Sequence, residues 1–289
     1  MTARQIKKIS IITPCYNAEN YIQETMASIL NNTLIKSAKL KLQYIICDGG
    51  SKDKTLQLVQ STIDLYSEFN NLDIRIISEP DAGMYDALAK GLAIVDGDVC
   101  AYLNAGDMYS PKAFEVVVEM FAKEEVAWIT GLQVIYNEKS HITNARLPFR
   151  FLPRLIQTGM YGSILPFIQQ ESTFWHSSLN VYLDLKQLAS FRYAGDYFIW
   201  KSFCEVAQLY VVGAWLGGFK RHHGQLSEDL MAYAKECKEI SDAPHIGDYF
   251  CAGLEGLFWL MPTKIKKRIA GKAMYLFDDK KQEYSNGDV

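Results

Sequence analysis

The sequence predicts an α/β protein, an open and mostly parallel doubly wound sheet followed by a helical C-terminal extension. Two observations carry the prediction. Through the first half, short apolar runs alternate with helical patterns, the signature of βαβ units. The first four runs each end in a polar, turn-forming cluster, at the strand ends where such a sheet meets its ligand.

Taken in order, strands are expected at 9–13, 43–47, 72–77, 99–103 and 127–130. Helices are expected between them at 19–31, 54–70, 86–94 and 111–124, with Ser110 and Pro111 as cap and first turn of the last. From 136 to 167 the pattern loosens around Pro148, Pro153 and Pro166, which reads as an excursion over the sheet face. A return strand at 171–175, helices at 179–188 and 196–207, a strand at 209–212 and a polar helix at 228–240 follow. The stretch 248–277 is apolar and basic by turns, and the last dozen residues are expected to fray.

At 289 residues the chain can bury a full core, and 49% hydrophobic with 22% charged residues fits a globular protein. A net charge of −3 offers no basic face for nucleic acid. Cys15, Cys47, Cys100, Cys204, Cys237 and Cys251 lack paired spacing, so reduced, buried thiols in a cytoplasmic protein are expected. No secretion signal and no run of roughly 18 apolar residues is seen.

The strand-end clusters are Thr13 to Asn17, Asp48 to Thr55, Glu79 to Asp86 and Asn104 to Asp107. Four such clusters in register make a pocket rich in carboxylates and small residues. It suits a nucleobase, a ribose and a metal-bridged pyrophosphate, because carboxylates accept from N–H and hydroxyl donors while one holds a hard divalent cation. An Asp/Gly turn with Ser51 or Asp53 capping the next helix also accounts for the second cluster, and Tyr16 also reads as core.

The ordered motifs TPCYN, DGGSKDKT, SEPDAGMYDALAKG and LNAGD resemble the family 2 inverting glycosyltransferases, which have the glycosyltransferase A fold. The likeness is nearest to members that build bacterial capsule, exopolysaccharide or lipopolysaccharide. It covers roughly 8–110 strongly and 165–230 moderately. It implies a catalytic domain over 1–240, with a nucleotide-sugar-binding half at 1–110 and an acceptor-binding half at 111–240. The extension is then 241–289.

Carried across by position, the resemblance assigns Thr13, Tyr16 and Asn17 to the first nucleotide-contacting turn and Asp48 to the base. Asp53 matches the second acid of that motif, with helix capping an equally good account. Asp81, Gly83, Asp86 and Lys90 match the segment closing over ribose and phosphates. Where the family has two acids after the fourth strand, this chain has Asn104 and Asp107, leaving Asp107 as the carboxylate for Mn2+ or Mg2+ and Asn104 beside the donor. His222 or His223, in a loop like the family's late His-Gly-Ser loop, is the natural further ligand, with a solvated or phosphate-contacting loop as the other reading.

The resemblance also implies an inverting transfer from a UDP- or GDP-sugar to a hydroxyl of a glycan or lipid-linked acceptor, of hexosyl or N-acetylhexosaminyl type. Asp196 in YAGDYFIW matches the general base of a motif whose first acid is Gly195 here, an N-cap being the other reading. Glu171 either faces the acceptor or is a surface acid. Trp175, Trp200 and Trp215 either stack on a sugar or fill the core. The basic, apolar stretch 256–277 either lies on an anionic membrane at the inner face of the cell membrane or packs as a helix with a solvated basic face. A nucleotidyltransferase would need a Gly-rich basic loop in place of TPCYNAEN, and a dehydrogenase would need G-x-G-x-x-G. A non-catalytic nucleotide-sugar-binding module is the remaining rival.

Overall fold

A computed structural model of the chain describes residues 4–222 and 225–286. The first half runs β1 (Lys8–Cys15), α1 (Ile22–Leu30), α2 (Thr33–Lys36), β2 (Lys41–Asp48), α3 (Thr55–Asp64), β3 (Leu72–Ser78), α4 (Met84–Leu92), β4 (Val99–Tyr102), β5 (Met108–Tyr109) and α5 (Ala113–Phe121). The second half runs β6 (Trp128–Thr130), β7 (Gln133–Tyr136), β8 (Ile142–Arg146), α6 (Pro153–Gln157), β9 (Thr173–His176), α7 (Leu185–Ser190), α8 (Gly195–Cys204), β10 (Tyr210–Val212) and β11 (Gly217–Lys220). The chain closes with α9 (Leu230–Ile240), α10 (Ile246–Trp259), α11 (Thr263–Ala270), β12 (Met274–Asp278) and β13 (Glu283–Ser285).

One nine-stranded sheet in the order β13-β12-β10-β6-β9-β4-β1-β2-β3 forms the body of the protein. β1 and β2 are buried on both faces through Ile9, Ile11, Ile12, Leu42, Tyr44 and Ile46, which is why they read as unbroken apolar runs. Parallel register sets Cys15 opposite Asp48 and Asp48 opposite Ser78, so the turns after β1, β2 and β3 leave the sheet at one level. β9 runs antiparallel between β4 and β6. The start of an antiparallel strand lies where its parallel neighbours end, so Glu171, on the 3-10 turn Gln170–Ser172 just before β9, arrives at the ligand edge.

A second sheet, β5-β11-β7-β8, flanks this edge. Part of the 136–167 excursion is therefore ordered, with β8 paired to β7 and α6 beginning at Pro153. The extension is not helical throughout. β12 adds to β10 in parallel and β13 pairs with β12, so the tail expected to fray supplies the last strand of the main sheet. Met274 and Tyr275 are buried, and the Tyr275 hydroxyl donates to Glu125 Oε1 at 2.9 Å. These long-range partners fix a short strand that local periodicity does not announce. The six cysteines are free thiols, four of them buried and Cys237 and Cys251 half-buried.

Candidate active site

The turns after β1 and β2 are stitched to each other. The Asn17 N–H donates to Ser51 Oγ at 2.8 Å, Asn17 Oδ1 accepts from Lys52 N–H at 2.9 Å, and the Ala18 N–H donates to Thr55 Oγ1 at 2.7 Å. Asn17 takes a positive φ of 47°, which asparagine tolerates. Asp53 accepts from the Glu19 N–H at 3.0 Å and from Thr55 N–H and Oγ1. Burial would raise its carboxyl, but the Thr55 and Glu19 hydrogen bonds outweigh that and hold it below the ordinary value. The side chains of Asn17 and Asp53 thus hold the two loops together. Thr13 is fully buried, and its hydroxyl accepts from Tyr44 OH at 3.0 Å. Tyr16 is 62% exposed, which removes the core reading and leaves its ring at the mouth.

Asp48 accepts from Gly50 N–H, Ser51 N–H and, at 2.7 Å, Ser78 Oγ. Asp81 lies over the α-carbon of Gly49, where an added Cβ would stand 2.6 Å from its Oδ2. Burial raises the Asp81 carboxyl, and the charges of Asp86 and Asp48 add to the effect. Gly83 opens α4 at φ 140°, a conformation that suits glycine. Lys90 closes this turn on itself, meeting Glu79 at 3.0 Å, Asp86 at 3.5 Å and the Pro80 carbonyl at 3.3 Å.

After β4, Asp107 is buried and its Oδ1 accepts the Lys220 N–H at 2.8 Å. Burial pushes its carboxyl well up, the neighbouring charge of Glu171 pushes further, and hydrogen bonds from Lys220 N–H and Asn104 oppose them. Lys220 sends its ammonium away to Glu24, which also takes Ser140 Oγ. Asn104 Oδ1 is buried with no hydrogen-bond partner among the described residues. His222 stacks on Tyr21 with centroids 4.2 Å apart, and its Nε2 lies 3.5 Å from where a Cβ on Gly106 would be. His223 lies outside the described residues.

Among the described residues no three His, Cys, Asp or Glu side chains gather to hold a metal by themselves. The donors do fit a divalent cation that also binds a diphosphate. A buried carboxylate and an orphaned amide oxygen are hard donors, an imidazole stands over the adjacent Gly106, and the buried acids have excess negative charge to neutralise.

Asp196 is in the first turn of α8, whose N-cap is Ala194. Asp196 is therefore not the N-cap residue. Glu236 of α9 ties down the turn that leads into α8, its carboxylate accepting the N–H groups of Arg192 at 2.9 Å, Tyr193 at 2.7 Å and Ala194. Asp196 Oδ1 accepts the Tyr197 N–H at 2.7 Å and Tyr85 OH at 3.3 Å, and the Tyr233 hydroxyl of α9 also helps to hold the carboxyl down. Burial raises the carboxyl to about 6 against these hydrogen bonds. Glu171 is buried, not a surface acid; burial lifts it to about 7, and the Asp196 charge contributes. Trp175 is corrected to core: it is fully buried, donates to Asn180 Oδ1 at 2.7 Å and packs edge-on against buried Trp200. Trp215 remains partly exposed beside Tyr136.

Sequence reasoning missed Tyr85, Tyr233 and Glu236. Tyr85 stood inside a quoted motif, whereas α9 gave no signal beyond its polarity.

Residues 10–180 match the family described as Glycosyl transferase family 2. A chondroitin synthase of Pasteurella multocida is 33% identical over 121 residues, 42% of this chain but 12% of that protein. The minor teichoic acid biosynthesis protein GgaA of Bacillus subtilis is 32% identical over 142 residues, 47% of this chain and 30% of its own length. The chain thus matches well under half the length of these relatives. Among solved structures, S. aureus TarS 1-349 in complex with UDP-GlcNAc has a TM-score of 0.56 at 14% identity, covering 91% of this chain and 70% of that one. The mannosyltransferase PcManGT from Pyrobaculum calidifontis, in complex with GDP-Man and Mn2+, has a TM-score of 0.56 at 12% identity, covering 92% and 75%. At these identities the likeness shows the fold.

Proposed function

As the chain belongs to glycosyl transferase family 2, we propose that it moves a sugar from a nucleotide-diphospho-sugar to a hydroxyl of a surface-polysaccharide acceptor, with inversion. One observation carries the reading. Asp196, a carboxylate raised to about 6 and bonded by the Tyr85 hydroxyl of α4, opens α8 in charge interaction with Glu171, which interacts in turn with Asp107. A base of that character is largely ionised at neutral pH yet basic enough to take a proton.

In this reading Asp48 and Asp81 receive the N–H and hydroxyl groups of base and ribose, with Tyr16 at the mouth. Asp107, Asn104 Oδ1 and His222 would hold Mn2+ or Mg2+, which supplies positive charge against the leaving diphosphate. Asp196 takes the acceptor proton as the hydroxyl oxygen bonds to the anomeric carbon and the diphosphate departs. Glu171, between Asp107 and Asp196 in charge interaction, lies on the acceptor side.

Two proteins of this fold were solved with UDP-GlcNAc and with GDP-Man and Mn2+, which supports testing both donor classes. The experiment is a melting-temperature panel of UDP-, GDP- and dTDP-sugars with and without manganese, followed by nucleotide release in the presence of acceptor glycans. A metal-dependent shift with one donor and acceptor-dependent release supports the transferase. A shift with no release under any acceptor supports the non-catalytic binding module.

A further inference from the structure

We propose that α10 and the start of α11 form a docking face for an anionic membrane surface. Along α10 Ile246, Phe250, Leu254 and Leu257, with Leu260 at its C-cap, follow helical spacing on one side and are exposed, and Ile265 of α11 is exposed after them. Ile246 is 90% exposed, Phe250 73%, Leu257 58% and Leu260 77%. Side chains of this size in a continuous stripe are unusual on a surface that meets only water.

Charge identifies the occupant. The only acids between 243 and 273 are Asp248 and Glu255, and both turn inward. Asp248 meets Arg154 through two hydrogen bonds of 2.9 and 3.1 Å, and Glu255 meets Arg150 through two of 2.6 and 3.1 Å. Lys264, Arg268 and Lys272 remain exposed beside the stripe. The face is thus apolar and cationic with no exposed carboxylate, the pattern that partitions into an interface of anionic lipid. A second copy is a poor match: a twofold interface would bring two cationic faces together with no acid on either.

The face differs from the one that the basic composition of 256–277 suggests. Lys266 and Lys267 are buried, donating to the Leu147 carbonyl at 2.9 Å and the Ser285 carbonyl at 2.7 Å, so they tie α11 to the protein. The docking surface therefore begins earlier, at Ile246. It is also linked to the proposed acceptor side. Leu165 lies beneath Gly256, and partly exposed Phe167, two residues on, packs edge-on against Tyr233, which helps to hold the Asp196 carboxyl down. A hydroxyl carried on a lipid in the bilayer would approach from this side.

The test is sedimentation of the full chain with vesicles of phosphatidylcholine alone and of phosphatidylcholine mixed with phosphatidylglycerol. The expected result is binding to the mixed vesicles, weakened by salt. Phe250→Ser with Leu257→Ser, and separately Lys264→Glu with Arg268→Glu, should each lower binding by about tenfold or more at unchanged melting temperature. Point substitutions are used because removing α11 would also remove β12 and β13 from the sheet. No binding to anionic vesicles, or binding that survives both pairs of substitutions, overturns the proposal. So does a dimer in solution that the apolar pair converts to monomer while vesicle binding is absent. The readout needs no sugar donor, so it stands or falls separately from the transferase reading.

Discussion

The ring of Tyr85 lies against the α-carbon of Gly195, where an added Cβ would stand 2.4 Å from its Cδ1 and 2.5 Å from its Cγ. The ring is buried, and its hydroxyl donates to the Tyr193 carbonyl at 3.1 Å and to Asp196 Oδ1 at 3.3 Å. The absent acid at 195 and the tyrosine at 85 are therefore one feature. The missing side chain makes room for the ring, and the ring delivers a hydroxyl to the next residue's carboxylate.

Gly195→Ala should consequently be damaging although alanine favours helices. Tyr85 is packed on all sides and cannot retreat, so overpacking should cost about 1–3 kcal/mol of stability. It should also displace the hydroxyl from Asp196 and slow transfer. Restoring an acid with Gly195→Glu should be worse. Chemical denaturation and transfer rate, measured together, check this; an alanine variant as stable and fast as the parent would mean that the ring moves freely.

Much of this was legible in the sequence. Strand ends at Asp48, Glu79 and Asn104 could be placed because continuous apolar runs such as 43–47 stop abruptly at polar turns. What could not be read was which polar side chains turn toward a ligand. Asn17 and Asp53 have the residue types of a binding turn, yet their hydrogen bonds are spent on neighbouring loops. Thr13 is buried because β1 is covered on both faces. Tyr233 and Glu236 come to Asp196 and its helix from a segment far along the chain, and β12 becomes a strand only because β10 offers an open edge. Such partnerships belong to the fold and leave no local mark.

Tyr85→Phe removes a hydroxyl that hydrogen-bonds the ionised form of Asp196, and Tyr233→Phe removes one that helps to hold it ionised. Losing such a bond favours protonation, so the Asp196 carboxyl should move above about 6. The acidic limb of the kcat profile should shift upward with it, by about half to one pH unit per variant. The profile separates this role from plain packing, which would lower the rate equally at every pH. An unmoved acidic limb in both variants would detach the tyrosines from the base.

Asp107→Asn should abolish manganese-supported binding of the nucleotide diphosphate without lowering the melting temperature. The amide oxygen can still accept the Lys220 N–H, whereas alanine would orphan that donor at about 1–3 kcal/mol. Asn104→Asp puts the carboxylate that the site lacks in place of the unpartnered amide oxygen, and should tighten manganese by about tenfold. Calorimetry of metal and nucleotide together measures both. Undiminished manganese-supported binding in Asp107→Asn would remove that residue from the metal site.

Asp196→Asn makes the sharpest demand. The substitution leaves the Glu236 bonds to the turn before α8 untouched, and the amide oxygen can still accept from Tyr197 N–H and Tyr85 OH. It cannot take a proton, so turnover should fall by about 10² to 10⁴ with donor affinity near that of the parent. Stability provides an independent reading with a definite sign. The folded-state carboxyl is raised to about 6 from an ordinary 3.8, so its stabilising contribution is complete below the ordinary value and is lost as pH rises through about 6. The asparagine variant is neutral throughout and should therefore melt above the parent at pH 8, by up to about 3 kcal/mol of stability, and close to it in acid. Parent-like turnover would move the proton to Glu171, the neighbouring carboxyl that burial also raises. Equal melting of the two proteins at alkaline pH would show instead that Asp196 is already well solvated and ionised without strain, contrary to the burial that raises it.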